Sequence, residues 1–227
     1  MKPQPIFITG TSGIGKTTLA NYIAAKYRIP FINGSSSVLW KKYNISSHKE
    51  LLEMGVNNPN KGIDFQLELL NYREELIKKT GNTHFVTDRS IIDNLVYFMF
   101  QNSPYLSEQD TVHYINSCIE SFQNILELCT PNARYKMIYL SRDFYPDDEM
   151  PVIENDSKRI TNEYYQDVMS AIFNHVIDNN LLDFNHTPEK YLKIRDYNWD
   201  RRLALTETFL EKEPNMFDHL YNNWILK

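Results

Sequence analysis

Two cysteines in 227 residues leave no room for a disulfide framework. Cys118 and Cys129 fall on one predicted helix, about three turns apart, so their sulfurs do not meet. Both read as buried, reduced thiols. No Cys/His spacing matches a zinc site. No apolar run approaches a membrane span, and the apolar part of MKPQPIFIT is too short for a secretory signal. A soluble, reducing, cytoplasmic setting without membrane contact is the expectation. An excess of basic residues is missing too: 24 Lys and Arg stand against 29 Asp and Glu, a formal net charge of −5. Proteins that grip duplex nucleic acid usually present a basic face, so that partner is disfavoured. Lys41, Lys42, Arg201 and Arg202 could still form a local patch. Internal repeats and low-complexity tracts are absent.

What is present is an aromatic-rich chain of one-domain length, with 15 Tyr and 12 Phe for a core or a pocket. Five short apolar runs, at residues 5–9, 30–33, 83–88, 135–141 and 181–185, lack the alternation of half-exposed strands. With helical stretches between them they predict a buried parallel sheet. Helices are expected over 16–27, 48–54, 63–79, 92–100, 108–129, 157–179 and 189–194. In the fifth of these, Val112, Ile115, Ile119, Phe122, Leu126 and Cys129 make one apolar face. Thr187-Pro188 looks like a cap followed by proline at the first helical position. Residues 143–157, acidic and with two prolines, read as a loop that could close as a lid. From Tyr197 onward the tail adds one or two helices, with Trp199 and Trp224 docking on the core.

Residues 6–20, IFITGTSGIGKTTLA, carry the sharpest signal. GTSGIGKT, residues 10–17, matches the phosphate-loop pattern G-x-x-x-x-G-K-[ST], between a buried strand and a helix. Gly10, Gly13 and Gly15 let the backbone curl with its N–H groups inward, where a β-phosphate can sit. The helix starting near Lys16 adds the positive end of its dipole. Nucleotide contacts are expected from Gly10, Thr11, Ser12, Gly13, Ile14, Gly15, Lys16, Thr17 and Thr18. Lys16 would reach the β- and γ-phosphates of ATP, and the Thr17 hydroxyl would ligate magnesium. An N-K-x-D run that would read guanine is missing, which lowers the GTPase reading. At THFVTD the residue after Asp88 is Arg89, where motor-type strands carry a second acid; that lowers the AAA+ motor reading.

HFVTDRSIIDNLVYF, residues 84–98, places Asp88 at the carboxyl end of a buried strand, beside the phosphate loop. Asp88 is positioned for magnesium or its waters, and Arg89 for the acceptor. Here the chain resembles the thymidylate kinase and deoxyribonucleoside kinase families. Asp88-Arg89-Ser90 followed by Val96-Tyr97 is a hybrid of the thymidylate D-R-Y and the deoxynucleoside E-R-S motifs. The resemblance implies a three-layer α/β P-loop NTPase fold: a five-stranded parallel sheet flanked by helices, with a C-terminal helical extension. It implies a kinase domain over 1–195 with a lid at about 143–158, the extension occupying 196–227. It implies ATP and Mg2+ as cofactors, Asp88 as metal ligand or base, Arg142 and Arg159 as clamps on the moving phosphoryl group, and a homodimer.

The acceptor pocket is expected within about 33–75, with Trp40, Phe65, Gln66, Arg73 and Arg89 as substrate contacts. Phe65-Gln66 is similar to the pair with which deoxynucleoside kinases read the base. A hydroxyl acceptor benefits from a general base, and nucleoside kinases place that carboxylate just after the second strand. PFINGSSS has none. That absence, with Arg89, favours a nucleoside monophosphate as acceptor, in the manner of thymidylate kinase. The alternatives are a nucleoside phosphorylated on its 5′-hydroxyl, a modified base in DNA, and a nucleotide-dependent switch or regulatory ATPase.

Overall fold

The computed structural model describes residues 4–80, 84–129, 135–142, 163–181 and 190–211. Strand β1 (Ile6–Gly10) runs into the glycine-rich turn, and α1 (Lys16–Tyr27) leaves it. Then follow β2 (Phe31–Ile32), a 3-10 turn at Ser36–Leu39, α2 (Trp40–Tyr43), α3 (His48–Asn57) and α4 (Pro59–Thr80). The chain returns through β3 (Val86–Thr87), α5 (Ile91–Gln101) and α6 (Glu108–Cys129). It closes with β4 (Lys136–Leu140), α7 (Glu163–Asp178), β5 (Tyr191–Ile194) and α8 (Trp199–Glu211). All pairings are parallel, and the strand order is β2-β3-β1-β4-β5. From β1 the chain goes out to one edge and comes back past it to the other. Such a reversal leaves a crevice at the carboxyl ends of the central strands, where ligands of α/β sheets bind.

Alternate side chains of a strand face opposite ways, and β1 sorts the core into two layers. Phe7, with Met137 and Tyr139, joins the cluster under α4, α5, α6 and α7. Ile6 and Ile8, with Ile138, Leu140, Leu192 and Ile194, join the cluster under α1 and α8. Phe7 meets Phe85 edge-on, with centroids 5.8 Å apart. Truncating such a fully buried ring costs about 3–5 kcal/mol, a large share of the ~5–15 kcal/mol that holds a domain folded. The three-layer α/β fold, with its five-stranded parallel sheet flanked by helices, is therefore as expected.

Two expectations change. The segment 189–194, expected to be helical, contains the fifth strand instead; β5 is Tyr191–Ile194 and pairs with β4. Leu192 and Ile194 face the α1/α8 layer while Tyr191 and Lys193 stay half-buried, the alternation of an edge strand. The strand expected at 181–185 falls mostly outside the described residues, as does the Thr187-Pro188 cap. On α6 the buried row is Tyr114, Cys118, Phe122 and Ile125; Ile115, Ile119 and Leu126 are half-buried and Val112 is exposed. The inward face is thus rotated toward Tyr114, because α6 packs against both α4 and α5. The proposed lid at 143–158, Arg159 and the tail beyond Glu211 also lie outside the described residues.

Candidate active site

The phosphate loop is built by backbone conformation. Gly10, Gly13 and Gly15 have φ of 141°, 82° and 97°, values that L side chains adopt only with strain. A Cβ on Gly10 would lie 2.5 Å from the Leu140 carbonyl oxygen, so that position admits only glycine. Lys16 opens α1, is buried, and its ammonium donates to the Gly10 and Thr11 carbonyls at 2.6 Å each. Thr11 and Ile14 are buried, Ser12 half-buried, and Thr17 and Thr18 exposed.

Asp88, buried at the end of β3, joins this loop to its neighbours. Its Oδ2 accepts from the Thr17 hydroxyl at 2.5 Å, and its Oδ1 from the Gly34 N–H at 3.4 Å. A hydroxyl and a carboxylate oxygen thus converge at the mouth of the loop. Hard oxygen donors in this number suit magnesium, which fills its remaining positions with water and phosphate oxygens. Among the described residues no cluster of three or more His, Cys, Asp or Glu side chains could hold a metal alone, so the ion's other ligands would have to come from the nucleotide and solvent.

A cleft of about 380 Å³, part of it open to solvent, lies between α3, α4 and α5. Its apolar wall is Leu51, Phe65 and Leu69; its polar wall is Gln66, Arg73, Arg89, Asp93, Asn94 and Gln101. Four of the five side chains expected to bind the acceptor therefore meet here: Phe65, Gln66, Arg73 and Arg89. Trp40 does not line the cleft. It is buried behind it on Leu39, Leu51, Phe65 and Leu69, edge-on to His48. Arg142, just after β4, pairs through Nε with Asp167 of α7 at 3.2 Å.

Asp93 was not legible as a site residue. Ser90 and Asp93 form a capping box that starts α5, and the pattern S-x-x-D before an apolar run would have shown the cap. It would not have shown that Asp93 reaches the cleft. Its Oδ2 accepts from Ser90 N at 2.8 Å, Ser90 Oγ at 3.1 Å and Thr9 Oγ1 at 2.8 Å. Its Oδ1 has no hydrogen-bond donor, although the residue is fully buried; the Arg89 guanidinium is 3.9 Å away. Gln66 shows the same pattern. Its Nε2 donates to Gln101 Oε1 at 3.2 Å while its own Oε1 is unpaired.

The two cations of the cleft are engaged. Arg73 donates from Nε to the Gly34 carbonyl at 2.9 Å and from Nη1 to Asn94 Oδ1. Burial lowers its pKa to about 10, with Asp93 opposing the shift and Arg89 adding to it. Arg89 donates to the Asp88 carbonyl at 3.2 Å. Burial acts against its charge, but Asp93, Tyr97 and Asp88 more than offset this and hold its pKa above the ordinary value.

A family model described as an AAA domain matches residues 5–169, although Arg89 stands where motor-type strands carry a second acid. Deoxyadenosine kinase from M. mycoides, solved with bound dCTP, has a TM-score of 0.57 and 17% identity, covering 91% of this chain and 98% of that one. NadR protein, solved with NAD and AMP-PNP, has a TM-score of 0.53 and 15% identity, covering 93% of this chain and 50% of that one. The tRNA dimethylallyltransferase of Onion yellows phytoplasma (strain OY-M) is 24% identical over 185 residues. That match takes in 66% of this chain and 64% of the transferase, so the chain spans less than two thirds of that relative. The solved structures share the fold, a P-loop kinase fold.

Proposed function

Because the chain belongs to the AAA domain family and has a P-loop kinase fold, we propose that it is an ATP-dependent phosphotransferase whose acceptor is a nucleoside, phosphorylated on its hydroxyl. One observation carries the choice of acceptor. The cleft beside the phosphate loop contains two buried acceptor atoms without donors, Asp93 Oδ1 and Gln66 Oε1. An unpaired buried acceptor costs about 1–3 kcal/mol, more if charged. A ligand with O–H and N–H donors relieves that cost, and a nucleoside has both. A monophosphate, favoured by the sequence, keeps the base N–H donors but replaces the 5′-hydroxyl with further acceptors and negative charge beside Asp88 and Asp93. The guanidiniums that would welcome it are partly neutralised by Asp93.

In this reading MgATP supplies the γ-phosphoryl group. Lys16 and the glycine loop hold its phosphates, and Thr17 and Asp88 hold the ion or its waters. Asp93 and Arg89 orient the acceptor's sugar end, while Phe65 and Gln66 receive its base. Asp88, at the junction of loop and cleft, takes the hydroxyl proton as the acceptor oxygen bonds phosphorus and the bridging oxygen leaves with ADP. A panel of nucleosides and nucleoside monophosphates, incubated with MgATP and read by mass, tests the acceptor. Nucleosides gaining one phosphoryl group support the proposal; monophosphates gaining one while nucleosides do not would reverse it.

A further inference from the structure

Helix α8 borders neither the acceptor cleft nor the β3 end, yet it sends one side chain to the phosphate loop. Arg202, in its first turn, is 3% exposed. Its Nη1 donates to the Ile14 carbonyl at 2.7 Å and its Nε to the Asp196 carbonyl. One planar guanidinium thus bridges the turn after β1 and the turn after β5. Nη1 is also within 3.4 Å of the place a Cβ on Gly15 would take.

Both partners of this bridge are held. The start of α8 is fixed by Asn198 Oδ1, which accepts from Arg201 N at 3.1 Å, and by Asp196 Oδ1, which accepts from Asn198 N at 2.9 Å. Further along, Phe209 and Leu210 are buried in the α1 layer, and Glu207 pairs with Lys26 of α1 at 2.6 Å. On the loop side, Ile14 lies between two glycines with positive φ, a conformation that costs the chain entropy to hold. A loop that turns its N–H groups toward an anion leaves carbonyls on its outer side that need donors of their own. Arg202 supplies one.

We propose that Arg202 is a positioning residue for the phosphate loop, through which α8 sets the affinity for the triphosphate. It holds the Gly13–Gly15 turn in its binding shape and places a positive charge behind it. The inference rests on the loop's reading as a nucleotide site. It does not depend on which acceptor the cleft takes.

The test uses the full chain, calorimetric titration with MgATP and with magnesium tripolyphosphate, and the thermal midpoint of the unliganded protein. Arg202→Met keeps bulk and removes the charge and the bonds to the Ile14 and Asp196 carbonyls. Arg202→Lys keeps charge but offers one ammonium to two carbonyls. Ile77→Val, in the core layer across the sheet, serves as a control for lost stability alone. The Met variant should bind both ligands about tenfold to a hundredfold more weakly, the loss expected of one charge-assisted hydrogen bond. The Lys variant should fall between it and the parent, and Ile77→Val should bind as the parent does. An unchanged MgATP affinity in either Arg202 variant overturns the proposal. So does an Ile77→Val affinity loss as large as theirs. If the Met variant does not fold, the Lys variant decides on the same criteria. A parent protein that binds neither ligand removes the loop's reading itself, and this inference with it.

Discussion

Replacing Asp93 by asparagine separates the charge of this side chain from its shape. The asparagine oxygen can keep the three bonds that Oδ2 accepts from Thr9 and Ser90. What goes is the negative charge, and at the Oδ1 position a donor replaces an acceptor. Arg73 and Arg89, both pulled toward the charged state by Asp93, lose a counter-charge. Removing one partner of a buried pair costs about 3–5 kcal/mol. The separation from Arg89, 3.9 Å, is loose, so the lower end applies, about 3 kcal/mol. For a domain of this size that lowers the melting midpoint by roughly 6–12 °C. The effect on the acceptor is separate. A hydroxyl donating to a carboxylate contributes about 1.5–3 kcal/mol, so acceptor kcat/KM should fall about tenfold to 150-fold. The KM for ATP should move less than about twofold, since Asp93 touches no residue of the loop beyond Thr9 of β1. Calorimetry and steady-state rates on the same preparations read both. A lowered midpoint with acceptor kinetics intact would leave Asp93 as a counter-charge to the buried arginines and remove it from the acceptor site. An unchanged midpoint would refute the claim that its charge balances the buried arginines.

Two further predictions follow from burial and backbone geometry. Gly10→Ala puts a Cβ 2.5 Å from a backbone oxygen at a φ of 141°, so urea denaturation should show a loss of about 3 kcal/mol or more, with MgATP binding lost as well. Burial raises the Cys118 thiol from 9.0 to about 12, which at pH 8 leaves about a thousandfold less thiolate than an ordinary cysteine. Peptide mapping after brief iodoacetamide treatment should find it unlabelled in the native protein and labelled in urea. Since its folded pKa lies above the unfolded value, the stability it contributes is full below pH 9 and declines as pH rises toward 12. Three units correspond to about 4 kcal/mol, so denaturation midpoints should fall over that window, and less so in Cys118→Ala once its own lower baseline is subtracted.

How far the sequence could be read depended on distance along the chain. The phosphate loop is eight contiguous residues whose glycines and lysine act through their own backbone, so its shape was legible from the pattern alone. The central strands were legible because burial on both faces leaves continuous apolar runs. β5 was not: Tyr191–Ile194 is a four-residue edge strand whose alternation is too short to stand out. The inward face of α6 was misjudged because Val112 fits the helical period but looks outward once α4 and α5 take the other side. Phe65, Gln66, Arg73 and Arg89 were chosen by residue type and motif, and the fold brings the four together in one cleft. Asp93 and Gln101 were missed because their importance arises only when α4 packs on α5. That packing joins Gln66 to Gln101 across 35 residues, and the seating of α5 on β1 joins Asp93 to Thr9 across 84. Trp40 failed for the opposite reason: an aromatic beside a pocket usually packs behind it.

The central claim is that a triphosphate held at Gly10–Thr17 is a phosphoryl source for a hydroxyl bound in the adjoining cleft. Tracing the label from ATP carrying an isotopic γ-phosphate, with and without nucleosides, tests it most directly. Label should appear on the nucleoside, with one ADP for each transfer and little ADP without an acceptor. Label released as inorganic phosphate at the same rate whether or not an acceptor is present would contradict it.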